Sequence, residues 1–336
     1  MSSHDETRVC TDPVYRESVF AHMADTFGVT VTGYTQTFLG LLNMKWTVSA
    51  DSGPLFVKCY HPKRYNLSDP DLNRQVERSL SVQHDLHLRS GICPDVYSAG
   101  GRHLQQSPEG YYYAVMQPAE GAPPKAGEVG AARMYRLGRV TGQMHTLLQT
   151  LPAEGTPWKP SPGGISGKWQ ANREAALASA EPHPAVIRAI ERQGDILQTL
   201  DPAMFDGLEP GWAHSDFWVD NFLIDADDHV QVIDFDTVQY SYPEIDTARA
   251  LLSGAWHEDA LQREAAAAFL AGYREQHDFP AGRLPVALKL LWCREAHWWL
   301  RASMLNHASI PPKRFAEELI WLTEQWDRLD ELFGDW

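Results

Sequence analysis

The stretch Trp212–Thr237, WAHSDFWVDNFLIDADDHVQVIDFDT, decides how this chain is read. Within it His214, Asp216 and Asn221 form the pattern H-x-D-x-x-x-x-N, and Asp234 follows in the apolar run VQVIDFD. Apolar residues on either side of a polar turn predict two short strands, Phe222–Asp225 and Val230–Phe235, folded back through Ala226–His229. A turn centred between Asp227 and Asp228 sets Asn221 opposite Asp234. Directly opposed residues of an antiparallel pair have Cβ atoms roughly 4.5–5.5 Å apart. At that distance an amide oxygen and a carboxylate can hold one hard cation, and Mg2+ prefers one or two carboxylates plus phosphates to a full protein cage. Asp216, on the loop entering the hairpin, is then placed to accept a proton from a hydroxyl.

Carboxylates are common in this chain, so an ordinary acidic hairpin is the competing reading. The later Asp at the matching hairpin position weighs against it. The catalytic loop of protein kinases has the same Asp-to-Asn spacing, with a later Asp as metal ligand.

Composition narrows the function classes. The 336 residues suffice for a large core and two domains. A hydrophobic fraction of 43% with 22% charged residues describes a globular chain. Lys plus Arg number 29 against 44 Asp plus Glu, a net charge of −15. Nucleic-acid backbones are bound by clustered Lys and Arg, so no nucleic-acid partner is expected. No run approaches the roughly 18 apolar residues of a membrane span, and the opening MSSHDETRVC lacks the apolar core of a secretory signal. A cytoplasmic location is expected. Cys10, Cys59, Cys93 and Cys293 are scattered, with no C-x-x-C to suggest a disulfide framework or zinc.

Outward from the hairpin, the N-terminal part reads as strands with two helices. Pro13–Phe27 has helical spacing, and Val29–Val48 suggests two strands around Phe38–Asn43, with Gly40 at the turn. In PLFVKCY, Pro54–Tyr60, Lys58 interrupts an apolar strand and fits a lysine that pairs α- and β-phosphates. Asp71–Ser90 follows as a helix, and its Glu77 is a candidate salt-bridge partner for Lys58. Gly91–Tyr97 starts another strand. Tyr111–Gln117, YYYAVMQ, is a further strand whose unpaired side offers the backbone of Met116 and Gln117 to an adenine edge. Pro118 and the stretch Gly121–Pro124 mark a domain boundary, giving 1–117 and 118–336. Beyond it Ala131–Gln149 is a packed helix with His145 as a core histidine, Lys159–Gly167 a loop, and Ala185–Leu200 a helix. After the hairpin come helices over Ala248–Trp256, Ala260–Gln276, Pro285–Met304 and Arg314–Phe333.

Taken in order, GLLN, FVKCY, the helix with Glu77, VMQPAEG, LGRVTGQMHTL, HSDFWVDNFLID, VIDFD and YPEIDTARAL resemble the aminoglycoside phosphotransferase and choline kinase-like superfamily of small-molecule kinases, over about Val31 to Leu252. The loop region also resembles homoserine kinase-like and spectinomycin kinase-like members. The resemblance implies an α+β, bilobal protein-kinase-like fold, with a small β-rich N-lobe and a larger helical C-lobe. It implies Asp216 as catalytic base, Asn221 and Asp234 as Mg2+ ligands, Lys58 as the phosphate-binding lysine with Glu77 as its partner, and ATP as donor, with GTP left open. His214 becomes a structural residue of the loop, Asp246 a support of the lobe core, and Asp236 a residue behind the metal ligand. Ser215 stands where the family commonly has glycine, Phe217 and Trp218 make the loop bulky, and the phosphate-covering loop is poor in glycine.

The reaction so implied is transfer of a nucleotide γ-phosphate to the hydroxyl of a small molecule. The acceptor is either an aminoglycoside-like antibiotic or a metabolite of homoserine, choline or sugar type. The charge of −15, with Asp220 and Glu244 near the loop, favours a cationic acceptor slightly over a neutral one. A non-catalytic kinase-like binding protein and a metal-dependent hydrolase using His214, Asp216, His229 and Asp234 are the alternatives. The hydrolase reading gives the lysine strand, the hinge and the Asp-to-Asn spacing no purpose, and the presence of the residues needed for phosphoryl transfer weighs against the non-catalytic one.

Overall fold

Alternation in the first third of the chain produces a sheet with two unlike faces. In the computed structural model, which describes residues 13–37, 43–180, 183–305 and 310–336, helix α1 (Pro13–Phe27) precedes strands β1 (Val31–Thr37), β2 (Met44–Ala50) and β3 (Gly53–Cys59). Helix α2 (Pro70–Ser90), β4 (Gln105–Gln106) and β5 (Tyr112–Met116) follow. The strands pair antiparallel in the order β1-β2-β3-β5-β4. Met44, Trp46, Val48, Val57, Cys59, Tyr113 and Val115 line one face and bury Val19 and Met23 of α1. On the other face Ala114 and Met116 pack with Val76 and Leu80 of α2. Lys45 and Lys58 oppose each other in the β2–β3 register, out of phase with the first set, so they project from the α2 face. The turn expected at Phe38–Asn43, with Gly40, lies outside the described residues.

Helix α2 starts and stops where its ends are satisfied. The Asp69 carboxylate accepts from the backbone N–H groups of Asp71 and Leu72, Pro70 occupies the first turn, and Gly91 closes the helix at φ 68°. The strand expected over Gly91–Tyr97 is reduced to a single bridge, Val96 to Met116.

The chain divides into two compact units, Met1–Gly121 with Leu223–Thr237, and Ala122–Phe222 with Val238–Trp336. Against the sequence boundary after residue 117, the first unit runs to Gly121 and takes in the strand that carries Asp234. Backbone bonding accounts for this: the Val232 N–H donates to the Ile92 carbonyl at 2.7 Å, and the Glu120 N–H to Gln231 Oε1 at 3.3 Å. Gly121 has φ 98°, and a Cβ there would lie 2.5 Å from the Ile224 backbone.

The second unit is mainly helical, with α3 (Ala131–Leu148), α4 (Pro162–Leu177), α5 (Pro184–Thr199), α6 (Pro243–Ala255), α7 (Arg263–Arg274), α8 (Arg283–Trp299) and α9 (Ile310–Gln325). Helix α4 begins inside the segment Lys159–Gly167 that the sequence suggested as a loop. Ser161 Oγ accepts from the Gly164 N–H and Pro162 fills the first turn, so the Pro and Gly residues here open a helix. No helix among the described residues is long and apolar enough to cross a membrane.

Helices α3 and α7 approach so closely that their backbones touch. A Cβ on Gly138 would sit 1.9 Å from the Phe269 carbonyl oxygen, and one on Gly272 2.0 Å from that of Tyr135. Both obstacles are backbone and cannot swing aside. Gly138→Val is therefore expected to lower stability by about 3 kcal/mol or to prevent folding. Urea unfolding measures it, and an unchanged midpoint would show that the two helices separate without loss.

Candidate active site

In the first unit the strands bring Lys58 onto two carboxylates. Lys58 Nζ lies 2.5 Å from Asp234 Oδ1 and 2.6 Å from Asp236 Oδ2, and Lys58 is 3% exposed. Burial alone would push this ammonium down, but Asp234 and then Asp236 push it further up, and the net shift is upward. Asp236 is held from behind, because the hydroxyls of Tyr60 and Tyr65 donate to its two oxygens at 3.0 and 3.2 Å. Burial, then the Asp236 charge, raises both tyrosines, so they stay protonated donors. Lys45 Nζ is 4.0 Å from Asp234 Oδ2. Burial and the neighbouring Lys58 hold Lys45 below the usual lysine value, against the pull of Asp234 and Asp236. Like charges directly opposed across strands repel, and here the shared carboxylates offset that repulsion.

Three residues missed by the sequence reading belong to this web: Lys45, Tyr60 and Tyr65. Lys45 had a signal, because MKWTV places a lysine on the same strand phase that Lys58 occupies in FVKCY. The tyrosines had none.

Two expected partnerships are corrected. Glu77 does not pair with Lys58. Its carboxylate accepts from the backbone N–H groups of His103 and Leu104, each at 2.9 Å, and lies 3.5 Å from Arg102 Nε. Those peptide donors compete for the carboxylate, and Asp234 and Asp236 satisfy the lysine instead. The open side expected at Met116 and Gln117 is narrower than the sequence suggested, although Gln117 itself is exposed. Met116 faces Phe56 of β3 and bridges to Val96, while the Gln117 N–H donates to the Asp95 carbonyl at 2.9 Å. That N–H is already satisfied within the protein.

The hairpin register also differs from the expected one. The Asp225 N–H donates to the His229 carbonyl at 3.1 Å and the Asp228 N–H to the Asp225 carbonyl at 3.2 Å. Asp228 adopts φ 61°. This is a three-residue loop with a left-handed last residue, and it shifts the pairing by one position. Asp225 Oδ1 fixes it by accepting from the N–H groups of Asp227 and His229 at 2.8 and 2.9 Å. The strands stop at Ile224 and Val232, and Asp234 follows with φ 66°. The strand-opposition argument for Asn221 and Asp234 therefore fails, although both remain oxygen donors of the type a hard cation takes.

In the second unit the loop 214–221 is held from below by a buried carboxylate. Asp246, 1% exposed, accepts from the N–H groups of His214 and Ser215 at 2.6 and 2.9 Å. His145 Nε2 lies 3.2 Å from the same carboxylate, and its Nδ1 lies 2.8 Å from the Tyr273 hydroxyl. His145 is the core histidine that was expected, and it buttresses the loop through Asp246. Further on, the Asn221 Nδ2–H donates to the Asp216 carbonyl at 2.6 Å, and the Val219 N–H to Ser253 Oγ at 3.1 Å. The Asn221 amide is thereby oriented with its nitrogen on the loop, leaving its oxygen as the atom suited to a cation. Asp216 is half-buried.

Ser215 takes φ 67° in this loop, a conformation that costs residues other than glycine about 1–2 kcal/mol. Ser215→Gly is expected to raise stability by about 1 kcal/mol, after allowing for the greater freedom of glycine in the unfolded chain. A thermal midpoint below that of the parent would show that the serine side chain earns its place.

Residues 38–285 match the phosphotransferase enzyme family. The sequence has no match among curated proteins. Among solved structures, a microcompartment-associated aminopropanol kinase is similar with a TM-score of 0.62 at 18% identity, over 95% of this chain and 99% of that one. A putative aminoglycoside phosphotransferase of Ralstonia eutropha gives 0.60 at 13%, over 94% and 98%. An amicoumacin kinase in complex with AMP-PNP, Ca2+ and Ami gives 0.56 at 16%, over 92% and 93%. A family match covering most of the chain shows that the chain belongs to the phosphotransferase enzyme family, and these structures share its bilobal protein-kinase-like architecture.

Proposed function

We propose that this chain transfers the γ-phosphoryl group of ATP to a hydroxyl of a small molecule, with Asp216 as the base. The bond between the γ-phosphorus and the bridging oxygen breaks and leaves with ADP, a new phosphorus–oxygen bond forms to the acceptor, and the hydroxyl proton passes to Asp216. The observation that carries this reading is the loop itself: Asp246 holds its entrance and Asn221 its carbonyl, so that Asp216 is fixed between two anchors. Such positioning is the main resource a protein has for phosphoryl transfer.

Lys58 would hold phosphate oxygens, its charge kept full by Asp234 and Asp236. Asn221 and Asp234 supply an amide and a carboxylate oxygen, a donor set that fits Mg2+ when phosphates complete the shell. When bound, the cation supplies charge neutralisation on the transferred group. Among the described residues no cluster of three or more His, Cys, Asp or Glu is placed to hold a metal.

The acceptor is an aminoglycoside-like antibiotic or a metabolite such as an amino alcohol, sugar or amino acid. A screen of such alcohols for acceptor-dependent ADP release tests the reading, run beside heat denaturation with and without ATP and Mg2+. Stabilisation by the nucleotide together with acceptor-dependent ADP release is the expected result. Hydrolytic release of phosphate in place of acceptor phosphorylation would overturn it.

A further inference from the structure

Basic side chains gather where α4 packs on α8, in the same compact unit as the Asp216 loop. Lys168 Nζ lies 3.0 Å from His297 Nε2, and Arg301 Nε bonds the His297 carbonyl at 3.4 Å. Arg294 is one helical turn before His297 and carries its guanidinium 5.7 Å from the Trp158 ring. Lys168 and Arg301 both lie 5.2 Å from the Trp298 ring. Among the described residues no Asp or Glu forms an ion pair with Lys168, Arg294 or Arg301. In a chain of net charge −15, that is an unusual concentration of positive charge without a carboxylate in direct contact.

His297 identifies the missing partner. It is 8% exposed, and its Nδ1 is buried with no hydrogen-bond partner among the described residues. Lys168 can only donate, so Nε2 accepts and the ring proton sits on Nδ1. Burial, then Lys168, Arg301 and Arg294, hold this histidine down to about 4, which keeps it neutral at pH 7. A buried N–H with no acceptor is costly, and beside three cationic side chains an anion is the acceptor that suits it. Burial also lowers Arg294, against the pull of Asp246 and Glu295.

The cluster adjoins the catalytic loop. Arg294 lies within electrostatic reach of Asp246, the carboxylate that holds the His214 and Ser215 backbone. Trp218 packs edge-on against Phe315 at 5.0 Å, and Phe315 against Trp299 at 4.7 Å, next to Trp298. The carboxylates that suggested a cationic acceptor are less open than their sequence positions implied. Glu244 lies 3.7 Å from Arg283, and burial raises both Glu244 and Asp220.

We propose that Lys168, Arg294, His297 and Arg301 form a subsite for an anionic oxygen group on the acceptor, so that the substrate is a hydroxyl compound bearing a carboxylate or a phosphate. This rests on the phosphotransferase reading for its use, but the binding can be tested without turnover. Titration calorimetry would compare glycerate, glycerol 3-phosphate, glycerol and ethanolamine on the parent protein and on Arg294→Met, Arg294→Lys and the more exposed Lys168→Met, each first shown to be folded by its thermal midpoint. Glycerate or glycerol 3-phosphate is expected to bind, with whichever is tighter naming the group. Arg294→Met should weaken that binding about 10- to 100-fold, the worth of a charged hydrogen bond, and Arg294→Lys should restore part of it.

In steady-state assays the same variants should raise the KM of the anionic acceptor far more than that of ATP. Rising salt should narrow the preference. Equal binding of glycerate and glycerol by the parent, or a preference for ethanolamine that Arg294→Met leaves in place, overturns the subsite. Anion binding lost in Arg294→Met without any acceptor-dependent ADP release would keep the subsite and overturn the kinase reading.

Discussion

Asp216→Asn is expected to reduce kcat by about 10²- to 10⁴-fold while leaving ATP binding close to that of the parent, because it removes the proton acceptor and keeps the side chain's size. The loop should survive the change. Its anchors are the Asp246 carboxylate on the His214 and Ser215 N–H groups and the Asn221 amide on the Asp216 carbonyl, and none of these uses the Asp216 side chain. An unchanged thermal midpoint with a collapsed kcat is the signature sought. If the variant turned over like the parent, Asp216 would not be the base.

Lys58→Met should be damaging in two separable ways. Its ammonium is buried between Asp234 and Asp236, and after its removal Lys45, 4.0 Å from Asp234, is left as the paired ammonium. Breaking a buried ion pair by removing one partner typically costs about 3–5 kcal/mol, because the charge left behind loses its nearest counter-ion. ATP binding should fall as well if Lys58 holds phosphate oxygens as proposed. Adding Asp236→Asn to Lys58→Met removes one of the stranded charges and should return part of the stability without returning activity. Recovery of both together would mean that Lys58 acts only as a structural counter-ion. Calorimetric unfolding beside nucleotide titration separates these outcomes.

Much of this arrangement was legible before any coordinates, and the gaps have identifiable physical causes. The loop spacing and the Lys58 strand depend on local pattern. The helix Pro13–Phe27 was read to the residue, and the packed helix after the boundary to within one. The hairpin register was not legible, because it was set by a side chain: Asp225 captures two backbone N–H groups and forces a three-residue loop. Glu77 was assigned to Lys58 because sequence order cannot show that the peptide N–H groups at 103 and 104 reach that carboxylate first. The helix starting at Pro162 was missed because Pro and Gly were taken as loop residues, although Ser161 followed by proline is a helix-start signal. The basic cluster at α4 and α8 escaped because it joins residues more than a hundred positions apart, and overall charge pointed the other way.

The ammonium resting on Asp234 has a consequence for how ligands arrive. If Asp234 takes the cation, as proposed above, a bare divalent ion would compete with Lys58 for that carboxylate, so the resident lysine would penalise metal that comes alone. In the proposed roles, phosphates would offer Lys58 another set of oxygens and leave Asp234 to the cation. On that proposal nucleotide and metal would be positively coupled, each improving the other's affinity by the same factor, as linkage requires. The Lys58–Asp234 ion pair of the resting protein would then act as an interlock, admitting the two charges of the donor complex together and discouraging either one by itself.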